Sequence, residues 1–191
     1  MVDAPHFTAF GAAERLASGA LDTVAAAAAA AIARGIAPVF VFDDADGQRV
    51  DLDFSVPLDQ ALLRVHAARR HRSARRPDRD TRAVRLLPRH WDWLDAQPGG
   101  ASAALRRLVE AARRTQAGAD RCRMARERTY RVMQDLGGDR PAYEEALRAL
   151  FAGDAACFAA HLAAWPTDVR TYLLTLAAPA FAPPPSDPAG V

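Results

Sequence analysis

The feature that most constrains this chain is a pair of helix signals within residues 81–114, TRAVRLLPRHWDWLDAQPGGASAALRRLVEAARR. Pro88 suits the first turn of a helix, because its missing N–H has no partner inside a helix there. Pro98-Gly99-Gly100 then stops that helix. The segment therefore predicts a short strand over Thr81–Leu87, a short helix over Arg89–Gln97 and a second helix after the glycines.

The second helix has a clear apolar pattern. Ser102 is a candidate N-cap, because a short hydroxyl side chain accepts a backbone N–H at a helix start. The next apolar residues recur at i, i+3, i+4 and i+7, the spacing of one helix face; they are Leu105, Leu108, Val109 and Ala112. In a single chain this face would expose apolar surface, so we expect it to be buried in a homodimer.

Positive charge is concentrated in the middle of the chain. All 25 basic residues are arginines. Residues 64–131 contain 19 arginines against 7 acidic residues, a net charge of +12, whereas the rest of the chain has 6 against 16, or −10. Such a division indicates that the middle contacts a polyanion. The alternative, a GC-rich genome with arginines on exposed helices, explains the absence of lysine but not the clustering.

The first 58 residues read as a small α+β unit. Weak alternation over residues 7–17 indicates a strand or an irregular hairpin, and an alanine-rich helix follows from residue 22 or 23 to about residue 34. The apolar run Val39–Phe42 and the alternating run Gln48–Phe54 predict a hairpin about the turn at residues 43–47.

The aspartates around that turn do not fit a metal loop. A calcium loop needs ligands at regular positions and a bidentate glutamate at the twelfth. Counting from Asp43, the fifth residue is Gly47 and the twelfth is Phe54. Turn formation and a solvated strand face explain the aspartates better.

The remaining segments complete an α+β fold class that is mostly helical. The predicted organisation is an α+β unit at 1–58, a helix and basic linker at 59–80, a strand-helix-helix segment at 81–118, a helical bundle at 119–178 and a proline-rich, disordered tail at 179–191. Within the bundle, Asp139 and Asp154 are candidate N-caps after glycines. Gly118 is a candidate bend or end of the preceding helix.

Several functional classes lack their motifs. The chain has no GxSxG, no phosphate-binding loop and no convincing nucleophile-base pair, so we expect no enzyme, no cofactor and no metal. Cys122 and Cys157 have no CxxC context. No apolar run approaches the roughly 20 residues that span a bilayer, and MVDAPHFTAF is not typical of a secretory signal. We therefore expect a cytoplasmic protein with no membrane partner.

Three segments resemble a bacterial family called domain of unknown function 2239. They are PVFVFDDADGQRVDLDF, LLPRHWDWLDAQPGGASAALRRLVEAARR and GDRPAYEEALRALFAGDAACFAAHLAAWPTDVRTYLLTLA. The resemblance covers nearly the whole chain up to the proline-rich tail, and the LLPRHWDWL and QPGGASAALRRLV blocks carry most of it. The family name implies no activity.

The middle block is similar to the ribbon-helix-helix superfamily, whose members pair strands across a homodimer and lay that ribbon in the DNA major groove. In a typical member the residue before the proline faces the core, which here would bury Leu87 and Arg85. The opposite offset buries Val84 and Leu86 instead. It is physically better, because a buried arginine without a partner is costly. The sequence leaves the two orientations open.

The preferred offset implies a DNA-binding set of six residues: Thr81, Arg82, Arg85, Arg89, Ser102 and Arg106. Arg85 would lie on the groove face and contact guanine bidentately. Arg82 or Arg89 would hold a phosphate, and the N–H groups of residues 101–103 could hold another. Arg106 would meet only phosphate. Trp91 and Trp93 are expected to be core or dimer-interface anchors.

These observations favour a homodimeric protein that binds double-stranded DNA, in the manner of a transcriptional regulator. The alternative is a non-catalytic adaptor with no nucleic-acid role, whose basic middle contacts an acidic partner or the acidic ends of its own chain.

Overall fold

The computed structural model describes residues 6–74 and 83–182, and it confirms a mostly helical α+β fold. The elements in chain order are β1 (Phe7–Gly11), β2 (Glu14–Gly19), α1 (Leu21–Ala33), β3 (Val39–Asp43), α2 (Leu58–Ala74), α3 (Pro88–Asp95), α4 (Gly100–Gly137), α5 (Tyr143–Ala152), α6 (Ala155–His161), α7 (Thr167–Ala177) and a 3₁₀ turn (Ala178–Ala180).

The described residues form two compact units. The first unit combines residues 6–71 with residues 121–182, and the second lies within residues 72–120. The predicted N-terminal α+β unit and the predicted helical bundle therefore share one unit. Residues 100–120 of α4 belong to the second unit and the rest of that helix to the first.

The first unit is built on an antiparallel sheet with strand order β2-β1-β3. Ala12 turns the chain between β1 and β2 with a φ of 55°, so the predicted irregular hairpin is confirmed. Successive side chains of a strand point to opposite faces of the sheet, and here both faces are apolar. Phe7 and Val41 pack with α1, while Phe10 and Phe42 enter the core of the C-terminal helices.

The alanine run of α1 allows close packing on the sheet. Val24, Ala25, Ala28 and Ala31 are fully buried along one side of the helix. Alanine is the best helix former and has no long side chain to hold the backbones apart. The helix ends at Ala33, close to the predicted end, and Gly35 follows with a φ of 82°, the left-handed conformation common after a helix C-terminus.

The predicted second hairpin is only partly present. The turn at residues 43–47 forms, with Gly47 N–H donating to the Asp43 carbonyl at 2.8 Å. The prediction of a second strand over residues 48–54 is wrong. The pairing of this segment with β3 is reduced to one bridge between Phe42 and Arg49 and a hydrogen bond from Val50 N–H to the Val41 carbonyl. After Val50 the segment makes no described backbone hydrogen bond to β3.

A partly buried polar cluster joins β1, the β3 turn and α7. The Tyr172 hydroxyl donates to Asp44 Oδ1 at 2.6 Å, and the Thr8 hydroxyl donates to Asp44 Oδ2 at 3.0 Å. His6 Nδ1 lies 2.6 Å from Asp44 Oδ2. Burial, together with the Asp44 charge, raises the pKa of Tyr172 well above its ordinary value. The hydroxyl therefore stays protonated and acts as a donor to Asp44.

The α4–α5 corner closes around one indole. Trp165 is buried, and its Nε1 donates to the Pro141 carbonyl at 2.9 Å. Tyr143 stacks on the indole at a centroid distance of 6.5 Å, and the Arg140 guanidinium lies 5.8 Å from its centre. A side-chain carbon at Gly137 would lie 2.5 Å from the ring, so the end of α4 requires glycine there.

Two helix boundaries differ from the sequence prediction, and one is confirmed. Gly118 lies inside α4 and does not end it, because one interior glycine costs only about 1 kcal/mol. Asp139 is not an N-cap, since α5 begins at Tyr143 after the left-handed Ala142. Asp154 does cap α6, where its carboxylate accepts the Cys157 N–H at 2.9 Å.

None of the helices described for residues 6–74 and 83–182 carries an apolar stretch of the length a bilayer crossing needs.

Candidate nucleic-acid interface

The predicted strand is absent from the part of it that the structure describes. Thr81 and Arg82 lie outside the described residues, and residues 83–87 form no strand. A strand needs a neighbour to bond with, and none is present beside this segment in the described second unit. Leu87 is nevertheless extended, with φ −69° and ψ 150°, as expected for the residue before a proline.

The side-chain orientation predicted for the paired ribbon stays a prediction, because residues 83–87 have no partner strand in the single chain. Val84 was expected to be buried and is 56% exposed, while Leu86 is half-buried. Ala83 and Arg85 are exposed as expected. Among residues 83–87 only Leu86 is partly covered, so alternation does not divide the described segment into a buried and a solvent face.

The two predicted helices are present and meet at a tight corner. Pro88 occupies the first turn of α3, and α4 begins directly at Gly100. Gly99 and Gly100 have φ values of 84° and 71°, which only glycine adopts at little cost. Because the helix starts at Gly100, Ser102 lies within its first turn and is not the N-cap.

Arg107 stabilises this corner, a role that the sequence analysis did not assign. Its Nη1 and Nη2 both donate to the Pro98 carbonyl at 3.1 Å. Gln97 adds a bond from its side-chain nitrogen to the Trp93 carbonyl at 3.1 Å. The neighbouring Arg106 is left exposed for other contacts.

The described candidate residues are all exposed. Arg85 precedes α3, Arg89 is in the first turn of α3, and Ser102 and Arg106 are in the first two turns of α4. Within the described residues none of the three arginines has a hydrogen-bond or ion-pair partner, and neither kind of bond joins the four side chains to one another. By contrast, Arg113 in the same unit pairs with Glu110 at 2.9 Å.

The same unit exposes much of its apolar surface. Leu108 and Val109, two members of the face predicted to be buried, are 49% and 54% exposed. Ala104 is buried instead, and Leu105 of the predicted face is half-buried. The large apolar residues that remain exposed in this unit are Val84, Leu87, Trp91, Trp93, Leu108 and Val109. The tryptophans are therefore not core residues in this unit.

Part of the positive charge predicted for this interface belongs elsewhere. Residues 121–131 carry five arginines but lie in the first unit. Arg128 donates twice to the Leu176 carbonyl, at 3.1 and 2.8 Å, and Arg131 donates to the Asp46 carbonyl at 2.6 Å. These guanidinium groups bind helix and turn ends inside the unit. Arginine clustering in the sequence did not distinguish such a structural role from an interface.

The remaining charge still separates the two units. Residues 72–120 contain 11 arginines against 6 acidic residues, a net charge of +5, while residues 1–71 and 121–182 together have 14 against 16, or −2. In residues 6–74 and 83–182, no group of three or more histidine, cysteine, aspartate or glutamate side chains is placed to hold a metal ion.

A family model described as "Uncharacterized protein conserved in bacteria (DUF2239)" matches residues 6–177. The chain belongs to this family. The match spans both units, including α3 and α4. No curated protein and no solved structure matches the chain. The family description names no activity, so a function for this DUF2239 member has to be argued from its own residues.

Proposed function

We propose that this protein is a homodimer that binds double-stranded DNA through residues 81–114. The observation that carries the proposal is the surface of the second unit, where Arg85, Arg89 and Arg106 are exposed without described partners. Six large apolar side chains are exposed in the same short segment. Unpaired arginines suit phosphate and base contacts, and exposed apolar surface suits association.

A second copy of the chain would supply the neighbouring strand that the segment before α3 lacks. Residues 83–87 have no neighbouring strand in the described unit, and Val84 is 56% exposed. Pairing with the same segment of a second copy would form an antiparallel ribbon and bury Val84 together with Leu86, which would share one face of the strand. The arginines on the ribbon and at the starts of α3 and α4 would then face one surface in two symmetric sets.

We expect a light-scattering mass of twice 20.6 kDa at micromolar concentration. Val84→Glu should shift the mass to that of one chain, because a charge in the ribbon would be buried without a partner. Leu63→Glu is the matched control, since Leu63 is 63% exposed on α2 of the first unit. A single-chain mass for the unmodified protein would contradict the proposed dimer.

Two arginine substitutions test the DNA contacts. Arg85→Ala should lower the affinity for a selected duplex by ~1–3 kcal/mol and leave nonspecific binding largely intact, because a bidentate guanine contact is lost. Arg106→Ala should weaken binding to all duplexes about equally and reduce the salt slope by about one unit. The measurement is a salt series on selected and scrambled duplexes, with circular dichroism as the folding check.

Arg148→Ala provides the control. Arg148 is 74% exposed and pairs with Glu145 on α5 of the first unit, so its loss should change neither affinity nor salt slope. If the unmodified protein does not retard DNA at low salt, the proposal is wrong. If it binds and both Arg85→Ala and Arg106→Ala are silent, DNA binding lies elsewhere on the chain.

A further inference from the structure

The middle of α4 has little packing within the part of the chain that the structure describes. Residues 106–116, about three helical turns, are all exposed. Most helical stability in proteins comes from packing an apolar face against a neighbour, and an exposed apolar face of this kind marks an interaction surface. The nature of that face identifies the partner.

Uncharged and charged side chains lie on opposite sides of this stretch. At about 100° per residue, an arc of about 120° contains no charged side chain. Leu108 and Val109 lie within it and are 49% and 54% exposed. We call this arc the α4 seam. It consists of Leu105, Leu108, Val109, Ala112, Thr115 and Gln116.

The spacing within the seam suits another helix. Leu105, Leu108, Ala112 and Thr115 follow one another at intervals of three, four and three residues. This is the spacing with which paired helices interdigitate in a coiled coil. A helix with the same repeat is therefore the expected partner.

A second copy of the chain supplies such a helix. The charged side of residues 106–116 has four arginines against one glutamate, so two copies can approach closely only through the uncharged seam. The proposed ribbon takes one short strand from each chain, which is small beside the roughly 800 Å² that each partner of a stable complex usually buries. The seam lies in the same unit and adds to that area.

Residue size sets the direction in which two seams pair. Leu105 and Leu108 lie in the first half of the seam, and the smaller Ala112 and Thr115 lie in the second half. A parallel pair would place leucine on leucine at one end and alanine on alanine further along, which overfills one part and leaves a cavity in the other. An antiparallel pair places each large residue on a small one, as evenly packed cores require.

We infer that the α4 seam pairs antiparallel with the seam of a second copy, about a two-fold axis at the level of residue 110. Leu108 then contacts Ala112 of the partner subunit. In the same way, Leu105 contacts Thr115 of the partner subunit. Symmetry repeats both contacts on the other side of the axis. The inference rests on the homodimer of the proposed function and does not depend on DNA binding.

Disulfide formation between cysteine variants tests this register. Cys122→Ser and Cys157→Ser remove the native thiols. Leu108→Cys and Ala112→Cys are then placed in separate chains of that background and co-expressed. After oxidation we expect a covalent dimer on non-reducing electrophoresis, because the two positions face each other. Each variant expressed alone should give about tenfold less, because cysteines whose Cα atoms are more than about 7 Å apart cannot be bridged.

Arg106→Cys with Arg114→Cys is the matched control pair. These positions lie at the same height about the axis but on the charged side of α4, so they should not form a covalent dimer. Circular dichroism checks folding, and light scattering before oxidation gives the mass of each variant.

Three results would overturn the inference. Efficient disulfide formation by Ala112→Cys alone would show parallel pairing, and equal yields from the control pair would show random collision. A dimer mass without a disulfide between positions 108 and 112 would rule out the seam and leave the ribbon dimer standing. A single-chain mass for the unmodified protein would instead rule out the seam and the proposed homodimer together.

Discussion

Gly47→Ala is expected to lower the free energy of unfolding of the first unit by about 3 kcal/mol or more. Gly47 is buried at the end of the β3 turn with a φ of 70°. A side-chain carbon there would lie 2.2 Å from the Arg128 carbonyl oxygen, which belongs to the backbone of α4. Neither atom can rotate away, so the turn and the helix would have to separate.

Gly35→Ala is the control that separates backbone strain from the steric overlap at Gly47. Gly35 has a similar φ of 82°, but an added carbon meets nothing within 4 Å. Its substitution should cost only the backbone strain, about 1–2 kcal/mol. Urea unfolding followed by circular dichroism gives both values. Equal losses for the two variants would show that the turn does not pack tightly against α4.

Trp165→Ala is the second substitution with a large expected effect, a loss of about 3–5 kcal/mol. The indole fills the α4–α5 corner, stacks on Tyr143 and donates to the Pro141 carbonyl. Its removal leaves a cavity that the backbone at Gly137 cannot fill. Urea unfolding is again the measurement.

Two further tryptophan substitutions interpret the result. Trp165→Phe keeps an aromatic ring in the corner, so it should lower the free energy of unfolding less than Trp165→Ala does. Some loss should remain, because the Pro141 carbonyl is left without its donor. Trp93→Ala removes an indole that is 53% exposed in the second unit, and the unfolding of the first unit should not change. A loss below about 1 kcal/mol for Trp165→Ala would mean that the corner tolerates repacking.

Local patterns in the sequence predicted most of the elements. The two-sided sheet follows from the strand-like runs around Phe10 and Phe42, and glycines and Asp154 mark helix boundaries where the structure has them. The failures have a common cause. Gly118, Asp139 and residues 48–54 carry ordinary boundary or strand signals, and contacts distant in sequence decide whether those signals take effect.

The candidate interface was less predictable than the fold. Arg106 and Arg107 are neighbours with the same chemistry, yet only Arg107 bonds to the Pro98 carbonyl. The arginines that follow residue 120 looked like interface residues and include hydrogen-bond donors to the carbonyls of Leu176 and Asp46. The sequence gives the number and position of the arginines. The role of each guanidinium depends on which carbonyls and carboxylates the fold brings near it.

The division of the first unit between the two ends of the chain sets an order of events during synthesis. The sheet strands are complete by residue 43, but Asp44 meets Tyr172 only after 128 further residues. Until then the sheet face that carries Phe10 and Phe42 lacks α7, whose Tyr172 contacts both rings. A ribosome adding about 5–20 residues per second leaves this apolar face incompletely covered for roughly 6–26 s. Chaperone binding to the nascent chain is therefore expected to be strongest before α7 emerges.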